Sequence, residues 1–88
     1  MAYYIKIKDD ILKRDISDGA KILYGELNRL STKEGYCFAS NKYLGELVNK
    51  RERTIQNLLK ELKENNLVKI YIESINQRKI YVQRWFFL

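Results

Sequence analysis

Residues Ser40–Asn66, SNKYLGELVNKRERTIQNLLKELKENN, decide how the rest of the chain is read. They form two helical patterns joined by a short turn, the second running from about Arg51 to Asn65. In the second, Ile55, Leu58, Leu59 and Leu62 recur at i, i+3, i+4 and i+7, a single stripe of a 3.6-residue period. Arg53, Asn57, Lys60 and Glu64 fall on the opposite side, and Thr54 and Gln56 sit on the flanks. One face therefore locks the helix to a core. The other presents, near its N-terminus, the side chains that hydrogen-bond to base edges and phosphates.

Working outward, Ser40 is a favoured N-cap for the preceding helix, which covers roughly Asn41 to Val48 with Leu44, Leu47 and Val48 inward. Gly45 inside it costs about 1 kcal/mol relative to Ala. Its missing side chain suits the close approach of another helix. Asn49 and Lys50 make the turn, and Asn tolerates the left-handed conformation a tight turn needs. At the far end, Asn66 can close the second helix in the same conformation, with Leu67 as the apolar contact behind it.

Beyond Leu67, Val68, Ile70 and Ile72 alternate with Lys69, Tyr71 and Glu73; Ile80 and Val82 then alternate with Lys79, Tyr81 and Gln83. Two alternating strands predict a β-hairpin. Pairing Ile72 with Ile80 and Ile70 with Val82 calls for a loop of three or five residues within Ser74–Arg78, and sets Tyr71 opposite Tyr81 on the outer face. On the N-terminal side, Ser17 caps a long helix whose inward stripe is Ala20, Leu23, Leu27 and Leu30, flanked by Ile22 and Tyr24. Gly35 turns the chain, and Tyr36-Cys37-Phe38 is long enough only for a brief bridge to a small sheet. Tyr3–Lys8 alternates as a short leading edge strand, and Ile11 and Leu12 anchor a connector.

The totals bound the rest. Eighty-eight residues make one domain, 1–88. Residues 1–48 hold eight Lys/Arg against seven Asp/Glu, whereas residues 49–88 hold nine against four, so most of the net +6 lies in the second helix and the residues after it. That distribution suits an anionic polymer. The single Cys37 excludes an intrachain disulfide and fits a reducing cytoplasm. No apolar run approaches a membrane span, and the leading residues lack a signal-peptide core. Catalysis has little to work with. The chain has no His, no Gly-rich phosphate loop and no metal-ligand spacing, which points to neither enzyme, metal nor cofactor.

The order is strand, helix, bridge, helix, turn, helix, strand, strand. This is an α+β winged helix-turn-helix: a three-helix core, a C-terminal β-hairpin wing and a short N-terminal strand. Three pieces, DGAKILYGEL, EGYCFASNKYLGEL and RTIQNLLKELKENNLV, carry a resemblance to a known family. Together with the opening YIKIKDDIL, residues 3–82 resemble the winged helix-turn-helix domain at the N-terminus of plasmid and phage replication initiators and replisome organisers of Gram-positive bacteria. The chain departs from that family at the turn. Where Gly-Val-Ser usually precedes the recognition helix, Asn49, Lys50 and Arg51 stand here, loosening the turn slightly and adding positive charge.

The expected function is double-stranded DNA binding in plasmid or phage DNA replication initiation, with the helix of about 51–65 in the major groove. Arg53 is the leading candidate for a base contact, and Gln56 and Asn57 suit adenine. Lys50, Arg51, Thr54 and Lys60 hold phosphates, Ser40 and Lys42 add contacts at the start of their helix, and Arg78 and Lys79 reach from the wing. The Lys60–Glu64 run is otherwise an ordinary solvated face, and the Tyr71–Tyr81 pair a cross-strand packing contact. A transcriptional repressor with the same contacts is the nearest alternative; a winged-helix protein-interaction or inhibitor module is the alternative of another class. Trp85, Phe86, Phe87 and Leu88 end a basic chain in large apolar residues, which either complete the core or form an interface. The family resemblance implies a homodimer, or further domains and replication proteins as partners.

Overall fold

The computed structural model describes residues 11, 13–31, 33–74 and 77–83. Their element order is α1 (Asp18–Leu30), α2 (Asn41–Val48), α3 (Glu52–Glu64), β1 (Val68–Ser74) and β2 (Gln77–Val82). Three helices followed by an antiparallel hairpin make the α+β winged-helix architecture. The leading strand expected at Tyr3–Lys8, the anchor Leu12 and the terminal run Trp85–Leu88 lie outside the described residues.

Local chemistry sets each boundary. Ser17 is extended, and its Oγ accepts the Ala20 N–H at 3.2 Å; Ser40 does the same for Tyr43 N–H at 3.1 Å. Asp18 in the first turn and Arg29 in the last complement the dipole of α1. Helix α3 ends as its two asparagines predict. Asn66 adopts φ 60°, Leu67 N–H reaches Leu62 O at 2.9 Å, and Asn66 N–H reaches Lys63 O at 3.0 Å. These two reversed bonds are a Schellman closure, with Asn in the place Gly usually takes.

The helices enclose a core in which Leu23 and Leu27 of α1, Leu44 of α2, Ile55 and Leu62 of α3, and Ile80 of β2 are all fully buried. Each such side chain contributes about 1.5–3 kcal/mol by leaving water. Cys37 joins the sheet from the far side of β2. Its N–H donates to Ile80 O at 2.9 Å and its carbonyl accepts Ile80 N–H at 2.8 Å, so the brief bridge expected there is formed. Ile11 is fully buried against the same core.

Three expectations are corrected and one is refined. The hairpin register is Val68↔Val82, Ile70↔Ile80 and Ile72↔Arg78, two residues from the one expected, with a bulge between Ile72 and Ser74. A two-residue slip keeps every side chain on its own face, so alternation fixes parity and leaves register open. Ile72 is 78% exposed, so the inward stripe of β1 stops at Ile70. Tyr24, expected on the flank of α1, is buried, and its hydroxyl donates to Gln83 O at 2.8 Å. Gly45 admits both the turn and the neighbouring helix: a β-carbon there would meet the Lys50 carbonyl oxygen and, at 3.7 Å, Ile55 Cγ1 of α3. Glu61, expected on a solvated face, accepts both Ser17 N–H at 2.8 Å and Ser17 Oγ–H at 2.7 Å.

Candidate nucleic-acid interface

The turn between α2 and α3 spans Asn49 to Arg51. Asn49 takes the left-handed conformation (φ 57°, ψ 50°), and its N–H and that of Lys50 both return to Gly45 O, the latter at 2.8 Å. The chain then reverses and Arg51, extended at φ −73° and ψ 156°, becomes the N-cap of α3. It makes no side-chain cap bond. The first-turn amides of α3 therefore stay without a side-chain acceptor, at the end of the helix where the dipole favours an anion.

Packing orients α3. Ile55, Leu59 and Leu62 are buried, and Leu58 packs beside them against Gly19. The opposite stripe, Arg53, Gln56, Asn57 and Lys60, is exposed. Lys50 and Arg51 are exposed as well, and Thr54 is half-buried. None of these seven side chains makes a hydrogen bond or ion pair among the described residues. Three cations, Lys50, Arg51 and Arg53, crowd the positive end of the dipole with Glu52 as the one acid of the first turn. Each costs roughly 0.3–1 kcal/mol in isolation, a cost that a bound anion reverses.

Three of the remaining expected site residues, Ser40, Lys42 and Arg78, lie at the other end of α2. The Ser40 hydroxyl is engaged as the helix cap, and Lys42 is exposed beside it. Arg78 was expected in the wing loop but lies in β2. Its Nη2 donates to Ala39 O at 3.0 Å and to Asn41 Oδ1, tying the hairpin to the start of α2. Burial holds its guanidinium below the ordinary range of an arginine. Lys79 pairs with Glu73 at 2.9 Å, a bond that raises its pKa, and its ammonium lies 4.9 Å from the centre of the Tyr36 ring. The structure thus collects Lys50, Arg51, Arg53, Thr54, Gln56, Asn57 and Lys60 into one group and Ser40, Lys42 and Arg78 into another, while Lys79 faces Glu73 and Tyr36 apart from both.

Three contacts at the site escaped the sequence. Asn41 as the partner of Arg78 has no local signal, because the two are far apart in the chain. The Ser17–Glu61 contact joins α1 to α3 and is likewise long-range. Tyr36 and Phe38, by contrast, alternate around the buried Cys37, a period-2 pattern that announces a shared face. Burial pushes the Cys37 thiol up, which makes it a poor nucleophile.

A family model for a helix-turn-helix domain matches residues 14–68, from the approach to α1 through the first residue of β1. The chain belongs to the helix-turn-helix domain family. In helix-turn-helix terms α2 is the first helix of the pair and α3 the recognition helix, and DNA is the partner class of the module. No curated protein and no solved structure matches the chain. No helix among the described residues of this helix-turn-helix chain is long and apolar enough to cross a membrane.

Proposed function

We propose that the chain is a duplex-DNA-binding module that lays α3 in the major groove. The observation that carries this reading is the stripe of Arg53, Gln56, Asn57 and Lys60. It is exposed, it has no partner among the described residues, and it lies opposite the buried face that fixes the helix. Arg53, nearest the N-terminus, is placed to read a guanine edge, and Gln56 and Asn57 to read adenine. Lys50, Arg51, Thr54 and Lys60 take phosphates, helped by the uncapped amides of α3. Ser40 and Lys42 supply a further phosphate contact at the start of α2.

The wing plays a different part for each of its cations. Arg78 already serves Ala39 and Asn41, which makes it a positioning residue that sets the angle of the hairpin. Lys79 is more accessible and can exchange Glu73 for a phosphate.

The biological process we propose is plasmid or phage DNA replication initiation. It rests on the resemblance of DGAKILYGEL, EGYCFASNKYLGEL and RTIQNLLKELKENNLV to the replication-initiator domain. A transcriptional repressor would use the same contacts and would differ in its operator and its effect on a promoter. Amide chemical-shift mapping with a duplex of about two helical turns tests the geometry. Shifts concentrated between Lys50 and Lys60 support it. Shifts confined to β1 and β2, with α3 unmoved, overturn it.

A further inference from the structure

The hairpin carries a second surface whose aromatic rings the duplex reading leaves unused. On the face of the sheet turned away from the core, Phe38, Tyr36, Tyr81 and Tyr71 form a continuous row of rings across three segments of chain. Successive centroids are 6.3, 5.6 and 5.6 Å apart, at interplanar angles of 62°, 46° and 84°. The row ends in its two most open members, Phe38 at 69% exposure and Tyr71 at 54%. Basic side chains border it. Lys69 lies opposite Tyr81 in the register, and Lys79 lies opposite Tyr71 with its ammonium over Tyr36. Glu73 is the one acid among these outward-facing strand residues, and it is paired with Lys79.

We propose that this outer sheet face is a second nucleic-acid site, one that takes the unpaired bases of a single strand. Exposed rings bordered by lysines are what sequence-tolerant single-strand binding needs: each base has a π-face to stack, and the backbone needs cations beside it. A duplex does not fit the same face, because its bases show only their edges in the grooves. Phe38 and Tyr71 receive the bases. Tyr36 and Tyr81 brace them from the middle of the row, edge-on or tilted to their neighbours. Lys69, exposed and without an ion-pair partner among the described residues, is the cation most ready for a phosphate, and Lys79 follows by releasing Glu73. Lysine on both strands and a single acid give the face the charge of a polyanion site rather than of an apolar protein contact. With α3 on a duplex, such a face would hold a strand that has left it.

The test is a titration of labelled oligothymidylate of about twelve nucleotides, and in parallel of a labelled duplex, at low salt with the full chain. The wild-type chain binds both. Phe38→Ala with Tyr71→Ala weakens single-strand binding by about tenfold for each ring removed and leaves duplex binding within about twofold. Arg51→Ala with Arg53→Ala does the converse. Tyr71→Leu, which keeps apolar bulk without a ring, gives the same selective loss should the double change lower stability. The proposal is overturned if the folded wild-type chain ignores the single strand, which would leave the rings to a protein partner. It is also overturned if the ring variants bind the single strand as tightly as wild type.

Discussion

The carbonyl oxygen of Lys50 stands where a β-carbon on Gly45 would have to go. The same glycine accepts the Lys50 N–H at 2.8 Å, so the two residues lock the turn that sets α3 against α2. An alanine at position 45 would gain up to about 1 kcal/mol of helix propensity. It would also collide with a backbone atom that has no rotamer in which to escape. Overpacking of this kind costs about 1–3 kcal/mol, so the collision wins. Gly45→Ala is expected to lower the urea midpoint and to weaken duplex binding together. An unchanged midpoint would show that the turn yields.

Glu61 links stability to pH. Two Ser17 donors hold its carboxyl below the ordinary glutamate value of 4.5. A group with a depressed folded pKa stabilises above its unfolded value and loses that contribution as pH falls through the folded one. Glu61→Gln should therefore cost about 0.5–1.5 kcal/mol at neutral pH, the net worth of a typical hydrogen bond. The gap between variant and wild type should narrow below about pH 4.5 and close as acid protonates Glu61. Urea melts across pH 3–7 measure it, and a gap constant with pH would remove the carboxylate from the account.

Arg78 separates positioning from contact. Its two hydrogen bonds, made by a charged donor and partly buried, are worth about 1.5–3 kcal/mol. Arg78→Ala should lower stability by an amount in that range and weaken DNA binding. The slope of affinity against salt should stay as it is in wild type, because no phosphate contact is lost. A slope shallower by about 0.9 would instead make Arg78 a phosphate contact.

Arg53 divides specificity from affinity. Arg53→Ala should cost about 1–3 kcal/mol on a selected site and much less on random duplex. Equal losses on both would reassign it to the backbone. Lys50→Ala, by the same logic, should weaken both duplexes alike and reduce the salt slope by about 0.9.

Much of this fold was legible because its signals are local. The stripe Ile55-Leu58-Leu59-Leu62, the caps Ser17 and Ser40, and the left-handed Asn49 and Asn66 each act over a few residues, and each is found where expected. The features that escaped depend on distance along the chain. The hairpin register and the Cys37–Ile80 bridge each join residues far apart in the chain, and neither is written in the strand alternation. Tyr24 is buried with its hydroxyl satisfied by Gln83, a partner from the other end of the domain. The exposed face of α3 was legible for the same reason as its buried face. Arg78 was not, since its engagement with Asn41 exists only once the hairpin has folded onto α2.

In the proposed complex the exposed face of α3 and the turn before it hold a DNA duplex. Fluorescence anisotropy of a labelled random duplex, titrated at low and physiological salt with wild type and with Arg51→Ala/Arg53→Ala, tests it most directly. Wild-type binding should fall steeply with salt, with a slope of roughly −3 to −4 for about four phosphate contacts. The variant should bind more weakly and with a shallower slope. A folded wild-type chain that leaves the duplex unbound at low salt, or a variant that binds it as well as wild type, would contradict the account.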